Sequence, residues 1–75
     1  MFDKTSSILR DAMRERVIVT LKSGEAFDGV LMAADERAWE LVNAKALGVG
    51  DRGVDVPVDG SVILPSDNVA YCQRP

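Results

Sequence analysis

The sequence contains no histidine and only one cysteine, Cys72. Without a second thiol no internal disulfide forms. Without histidine the usual transition-metal ligand sets are missing, as are the Ser-His and Cys-His nucleophile pairs. No catalytic residue, metal or cofactor is therefore expected, and the chain does not read as an enzyme. Aromatic residues are equally sparse, with two Phe, one Trp and one Tyr, so no row of aromatic platforms for stacking bases is visible. No long apolar run and no charged-then-apolar leader is recognisable, which reads as a soluble, cytoplasmic protein with no membrane partner. Positive charge is not in excess either: the formal net charge is −3, and residues 48–75 carry four acids against two bases. Duplex DNA, which is gripped through bulk phosphate neutralisation, is disfavoured as a partner. A few residues repeated by symmetry around a ring escape this objection.

What the chain has in quantity is apolar surface, 47 % of its 75 residues. A domain of this length buries only about 60–65 % of the surface its unfolded chain exposes. With no disulfide to staple a small core, the surface of a partner is expected to bury the remainder, and a homo-oligomer supplies it most simply.

The hydrophobic period changes once along the chain. Residues 5–14 fit a short helix, with Thr5 or Ser6 as cap, Ile8, Leu9, Ala12 and Met13 on one stripe, and Arg10, Asp11 and Arg14 towards water. A helix of about ten residues is unstable alone, so the stripe must dock on the rest of the chain. From Arg16 the period is two. Val17, Val19 and Leu21 alternate with polar residues, Ile18 being the exception; after the Ser23-Gly24 turn, Phe27, Gly29, Leu31 and Ala33 share a face opposite Asp28 and Met32. A mid-strand glycine such as Gly29 permits sharp bending and close backbone approach. A third strand runs through Trp39, Leu41 and Asn43 to about Leu47. The glycine-rich segment 48–53 reads as a hairpin tip, because no Gly-Lys-Ser/Thr and no helix follow it. Val54, Val56, Val58, Val62 and Leu64 then share one phase, with Gly60 as a bulge or kink and Pro57 suited to an edge. Beyond the Pro65-Ser66-Asp67 turn, Val69, Tyr71 and Gln73 alternate with Ala70 and Cys72.

Two blocks in this pattern resemble the paired signatures of the Sm and Sm-like proteins. The first is residues 16–43, from Arg16-Val17-Ile18-Val19 through Phe27-Asp28-Gly29-Val30-Leu31 to Asp35 and Trp39-Glu40-Leu41-Val42-Asn43. The second is residues 60–73, around Val62-Ile63-Leu64-Pro65-Ser66-Asp67-Asn68-Val69. The resemblance implies a mainly β fold over 1–75: a short N-terminal α-helix, then a five-stranded, strongly bent, SH3-like open barrel, the Sm fold. It also implies a ring of five to seven subunits, roughly, in which residues 60–65 of one protomer pair with 68–73 of the next. A monomeric SH3-like barrel with blunted edges is the alternative. The histidine-containing tripeptide of the bacterial Hfq proteins is absent, so the resemblance is not to that branch.

Members of this family hold single-stranded, often uridine-rich RNA at the ring centre. They do so with an Asp-x-x-hydrophobic-Asn turn after the second strand and an Arg-Gly-Asx turn after the fourth. Carried over residue by residue, the candidates here are Asp35, Arg37, Trp39, Ser66, Asp67 and Asn68. Three of the family's residues are replaced: Trp39 stands at the Asn position, Pro65 at the Arg and Ser66 at the Gly. Trp39 either packs inward in phase with Leu41 or offers a stacking surface. Asp67 and Asn68 either shape the turn or touch a ligand. Two functions follow: an RNA-binding or RNA-processing scaffold, or an oligomeric protein-interaction module that has lost RNA binding.

Overall fold

Alternating burial builds the sheet that the computed structural model describes over residues 9–49 and 53–75. Its strands are β1 Arg16–Leu21, β2 Ala26–Ala34, β3 Ala38–Val49, β4 Val54–Pro65 and β5 Val69–Gln73, with a 3-10 turn at Ser66–Asn68 between the last two. All pairings are antiparallel, in the order β4-β3-β2-β1-β5. The mainly β, bent five-stranded fold expected from the sequence is the fold observed, and β4 and β5 are its two open edges.

The sheet bends where β2 crosses β3. Between Asp28 and Val30 on β2 the partner strand spends an extra residue, running from Lys45 to Val42, and Asn43 there takes φ 50°. Gly29 lies against that step. A Cβ on it would stand 3.0 Å from the Ala44 Cβ and 3.2 Å from the Ala44 Cα. Glycine is required here for want of room. On the other side of β3, β4 carries an extra residue at the same level, with Gly60 at φ 73°, which is the bulge the sequence indicated. Two bulges flanking one point of β3 bend and twist the sheet locally.

Bulges also reset the alternation that the sequence suggested. β2 has an extra residue between Leu31 and Ala33, so Ala33 turns out to water and Ala34 packs against the core instead. β5 has one between Tyr71 and Val69, so Val69 and Cys72 line the core while Tyr71 is exposed. In β4 only the second half faces inward. Leu64 is buried, whereas Val54 and Val56, expected in the same phase, are exposed. β3 continues to Val49, past the expected end at Leu47. Of the 48–53 tip, residues 50–52 lie outside the described residues; Gly48 and Gly53 have positive φ, and the Gly48 N–H donates to the Asp55 carboxylate at 3.0 Å.

The core comprises Ala12, Val17, Val19, Leu21, Leu31, Trp39, Leu41, Ala44 and Leu64. Residues 9–12 are helical, Ala12 buried and Leu9 and Met13 packed against the core, while Arg10, Asp11 and Arg14 are exposed as expected. The expected span of 5–14 is met in part. Thr5, Ser6 and Ile8 lie outside the described residues, and Arg14 at φ 64° ends the helix. Its N–H donates to the Leu31 carbonyl at 2.6 Å, and Leu31 N–H donates to the Glu15 carbonyl at 3.1 Å, which straps the helix to β2.

Gly29→Val is expected to cost about 1–3 kcal/mol, because the added methyls meet the Ala44 backbone; urea denaturation measures it, and a midpoint equal to wild type contradicts the close approach. Leu9→Ala is expected to cost about 1–2 kcal/mol, below the range for a fully buried leucine, since Leu9 is only half-buried.

Candidate nucleic-acid interface

Two turns that lie about thirty residues apart in the chain are bonded to each other. The β2–β3 turn is closed by Asp35, whose carboxylate accepts the N–H of Arg37 at 2.7 Å and of Ala38 at 2.8 Å, while its own N–H donates to the Ala38 carbonyl at 3.0 Å. Aspartate suits the position because a short side chain can cap the amides two and three residues on. The 3-10 turn Ser66–Asn68 then docks on it twice. Ser66 N–H donates to the Arg37 carbonyl at 2.9 Å, and the Ser66 hydroxyl donates to the Asp35 carbonyl at 2.8 Å. A third segment joins them, since Lys22 N–H donates to the Asn68 carbonyl at 2.7 Å.

The structure therefore brings five of the six candidates together. Asp35 and Ser66 hold the turns in place through their side chains. Arg37, Asp67 and Asn68 are exposed, and their side chains make no hydrogen bond among the described residues. Trp39 is different. It sits between Ala34 and Leu64 in register, is 8 % exposed and belongs to the core. The inward reading of Trp39 is the observed one, so the indole offers no stacking surface at the turns. The third segment was missed. Lys22, whose exposed side chain adds a second cation beside the turns, follows β1 directly and precedes a Ser-Gly turn, and nothing in its local sequence marks it. Glu36 is exposed at the turn's apex. Among the described residues no group of three or more metal-ligating side chains is gathered, and no helix of theirs is long and apolar enough to cross a membrane.

The Ala38 and Arg37 amides, with a smaller contribution from the Arg37 guanidinium, hold the Asp35 carboxyl below the ordinary carboxylate range. A lowered folded-state value means that ionised Asp35 adds stability above the unfolded-state value of about 4, and that this is lost as pH falls through the folded-state value. Asp35→Asn keeps an acceptor oxygen but does not titrate, so its urea midpoint is expected to fall less than that of wild type between about pH 5 and pH 3. Parallel curves for the two proteins would remove Asp35 from the turn's electrostatics.

No protein-family model and no curated protein sequence matches the chain. Solved structures do. A heptameric archaeal Sm protein superimposes with a TM-score of 0.79 at 21 % identity, over 92 % of this chain and 97 % of its own. The SmAP (LSm) protein of Methanococcus vannielii does so with a TM-score of 0.69 at 29 % identity, over 89 % and 88 %. The Sm protein of Pyrococcus abyssii, solved in complex with a uridine heptamer, gives 0.78 at 24 % identity, over 93 % and 96 %. Element order, bent sheet and paired turns thus define the class of protein by its architecture: the chain has the Sm fold, shared with these archaeal proteins.

Proposed function

We propose that the chain closes into a homo-oligomeric ring, of about five to seven subunits by cyclic symmetry, and holds single-stranded, uridine-rich RNA at the ring centre. The Asp35–Ala38 and Ser66–Asn68 turns make the contact, and the protein acts as a binding scaffold rather than an enzyme. The observation that carries this reading is the pair of hydrogen bonds from Ser66 to Asp35 and Arg37, which fuses two sequence-distant turns into one exposed surface. That surface presents a guanidinium, a carboxamide and a carboxylate from Arg37, Asn68 and Asp67. Its likeness to a relative solved with a uridine heptamer supports the ligand class, and two open edges in one sheet support the ring.

The chemistry sets the mode of binding. Asn68 supplies a donor and an acceptor for a base edge, while Arg37 and Lys22 meet phosphate or stack on a base. With few cations and a net charge of −3, affinity is modest and falls only shallowly with salt. Pro65, opposite Ala38 at the end of β4, stands where the family places an arginine.

Fluorescence anisotropy with oligouridine, oligoadenosine and duplex DNA over a salt series tests this. Oligouridine is expected to bind and the duplex not to. Arg37→Ala should weaken binding and Pro65→Arg strengthen it, each by about 0.5 kcal/mol per subunit, multiplied when several subunits engage one strand. Absence of binding by all three proteins would leave the second reading, an oligomeric protein-interaction module, for which the exposed Asp67 and the missing arginine speak.

A further inference from the structure

We infer that the bend of the sheet carries a second site, a cleft around Asn43 that takes a small zwitterion of the free α-amino-acid class. The inference goes beyond the ring-centre reading and does not depend on it.

The cleft exists because β3 is interrupted on both sides at one residue. In the β2–β3 register Asn43 and Ala44 fall opposite the single Gly29, and in the β3–β4 register Asn43 alone falls opposite Asp59 and Gly60. Asn43 therefore has no register partner on either strand. A bulge bends its strand and re-aims the side chain it carries. Here the bend opens a cleft of about 400 Å³, whose lining includes Arg16, Asp28, Asn43, Lys45, Pro57 and Asp59 from four successive strands. Small-molecule sites run from roughly 300 to 1,000 Å³, so the space suits a compact ligand.

Charge in the cleft divides into one pair that is spent and one that is not. Asp28, Lys45 and Pro57 form a row across β2, β3 and β4. Arg16 reaches over from β1, and its guanidinium donates to the Asp28 carboxylate at 2.8 Å. Lys45 and Asp59 are exposed, and neither enters an ion pair among the described residues. A cation and an anion thus border one cleft without neutralising each other, and the Asn43 carboxamide beside them offers both a donor and an acceptor.

A free α-amino acid matches this set, because it carries opposite charges on neighbouring atoms. Its carboxylate accepts from the Lys45 ammonium and the Asn43 amide nitrogen. Its ammonium donates to the Asp59 carboxylate and the Asn43 amide oxygen, and its side chain rests on the Pro57 ring. Charge-assisted hydrogen bonds of this kind are the stronger ones. A nucleotide fits poorly: Asp28 and Asp59 repel its phosphate, and no aromatic side chain lines the cleft to stack its base.

NMR titration of the ¹⁵N-labelled chain with L-alanine, L-leucine and L-phenylalanine tests the site. The Asn43, Lys45, Val58 and Asp59 amide signals are expected to move with at least one of them. For L-leucine, N-acetyl-L-leucine lacks the ammonium and L-leucinamide lacks the carboxylate; each is expected to bind at least about tenfold more weakly than its parent. Asn43→Gly removes the carboxamide while accepting φ 50°, and Lys45→Gln and Asp59→Asn each remove one charge. All three are expected to keep the wild-type far-UV circular dichroism and to weaken amino-acid binding about tenfold. No shift with any of the three amino acids, equal binding of the one-charge analogues, binding unmoved by Asn43→Gly, or larger shifts at these amides with uridine monophosphate would overturn the site. Arg37→Ala is expected to leave amino-acid binding unchanged, and Asn43→Gly to leave oligouridine binding unchanged. Failure of the wild type to bind oligouridine overturns the ring-centre reading alone.

Discussion

The close approach of Gly29 to Ala44 is the constraint on which the rest of the structure depends. Within the chain β5 pairs with β1, and the β1–β2 pair encloses Val17, Val19, Leu31 and Leu41 where β2 and β3 bend together over them. Where the bend falls is set by one absent side chain and by two bulges, at Asn43 and Gly60, that sit on either side of the same stretch of β3. Beyond the bend, β2 and β3 end in the Asp35 turn and β4 ends beside it at Pro65. The convergence of the two turns follows from the β3–β4 register, which sets Pro65 opposite Ala38.

Within the site, hydrogen bonding divides the residues by task. Asp35 and Ser66 spend their side chains on neighbouring backbone groups, which fixes the loops at little entropic cost to a later ligand. Arg37, Asp67 and Asn68 keep theirs in water. Charge is nearly balanced across this surface, so the proposed binding rests on base-edge hydrogen bonds and stacking more than on attraction to phosphate, and for that reason the proposal names single-stranded rather than duplex nucleic acid.

Strand positions, the helix stripe at Leu9, Ala12 and Met13 and the bulge at Gly60 were legible because each follows from a local period or a local steric rule, whereas for Trp39 the sequence left two readings between which the fold decided. The errors have two causes. Alternation predicts a face only while the register is unbroken, and a bulge adds a residue that composition does not announce. Ala33 and Tyr71 thereby changed sides, and Val54 and Val56 lost their burial because the first half of β4 runs past the core.

By itself the sequence determined the kind of chain this is: apolar out of proportion to its size, without the thiols and imidazoles of metal or nucleophile chemistry, and patterned as a helix followed by five strands. Tertiary structure alone decided which candidates stand together and which are free. Asp35 and Ser66 are thirty-one residues apart, and no local propensity encodes a bond between them. The same holds for Lys22, which reaches the site through a backbone amide bonded to Asn68, a link that any residue type other than proline could make and that leaves no trace in the sequence.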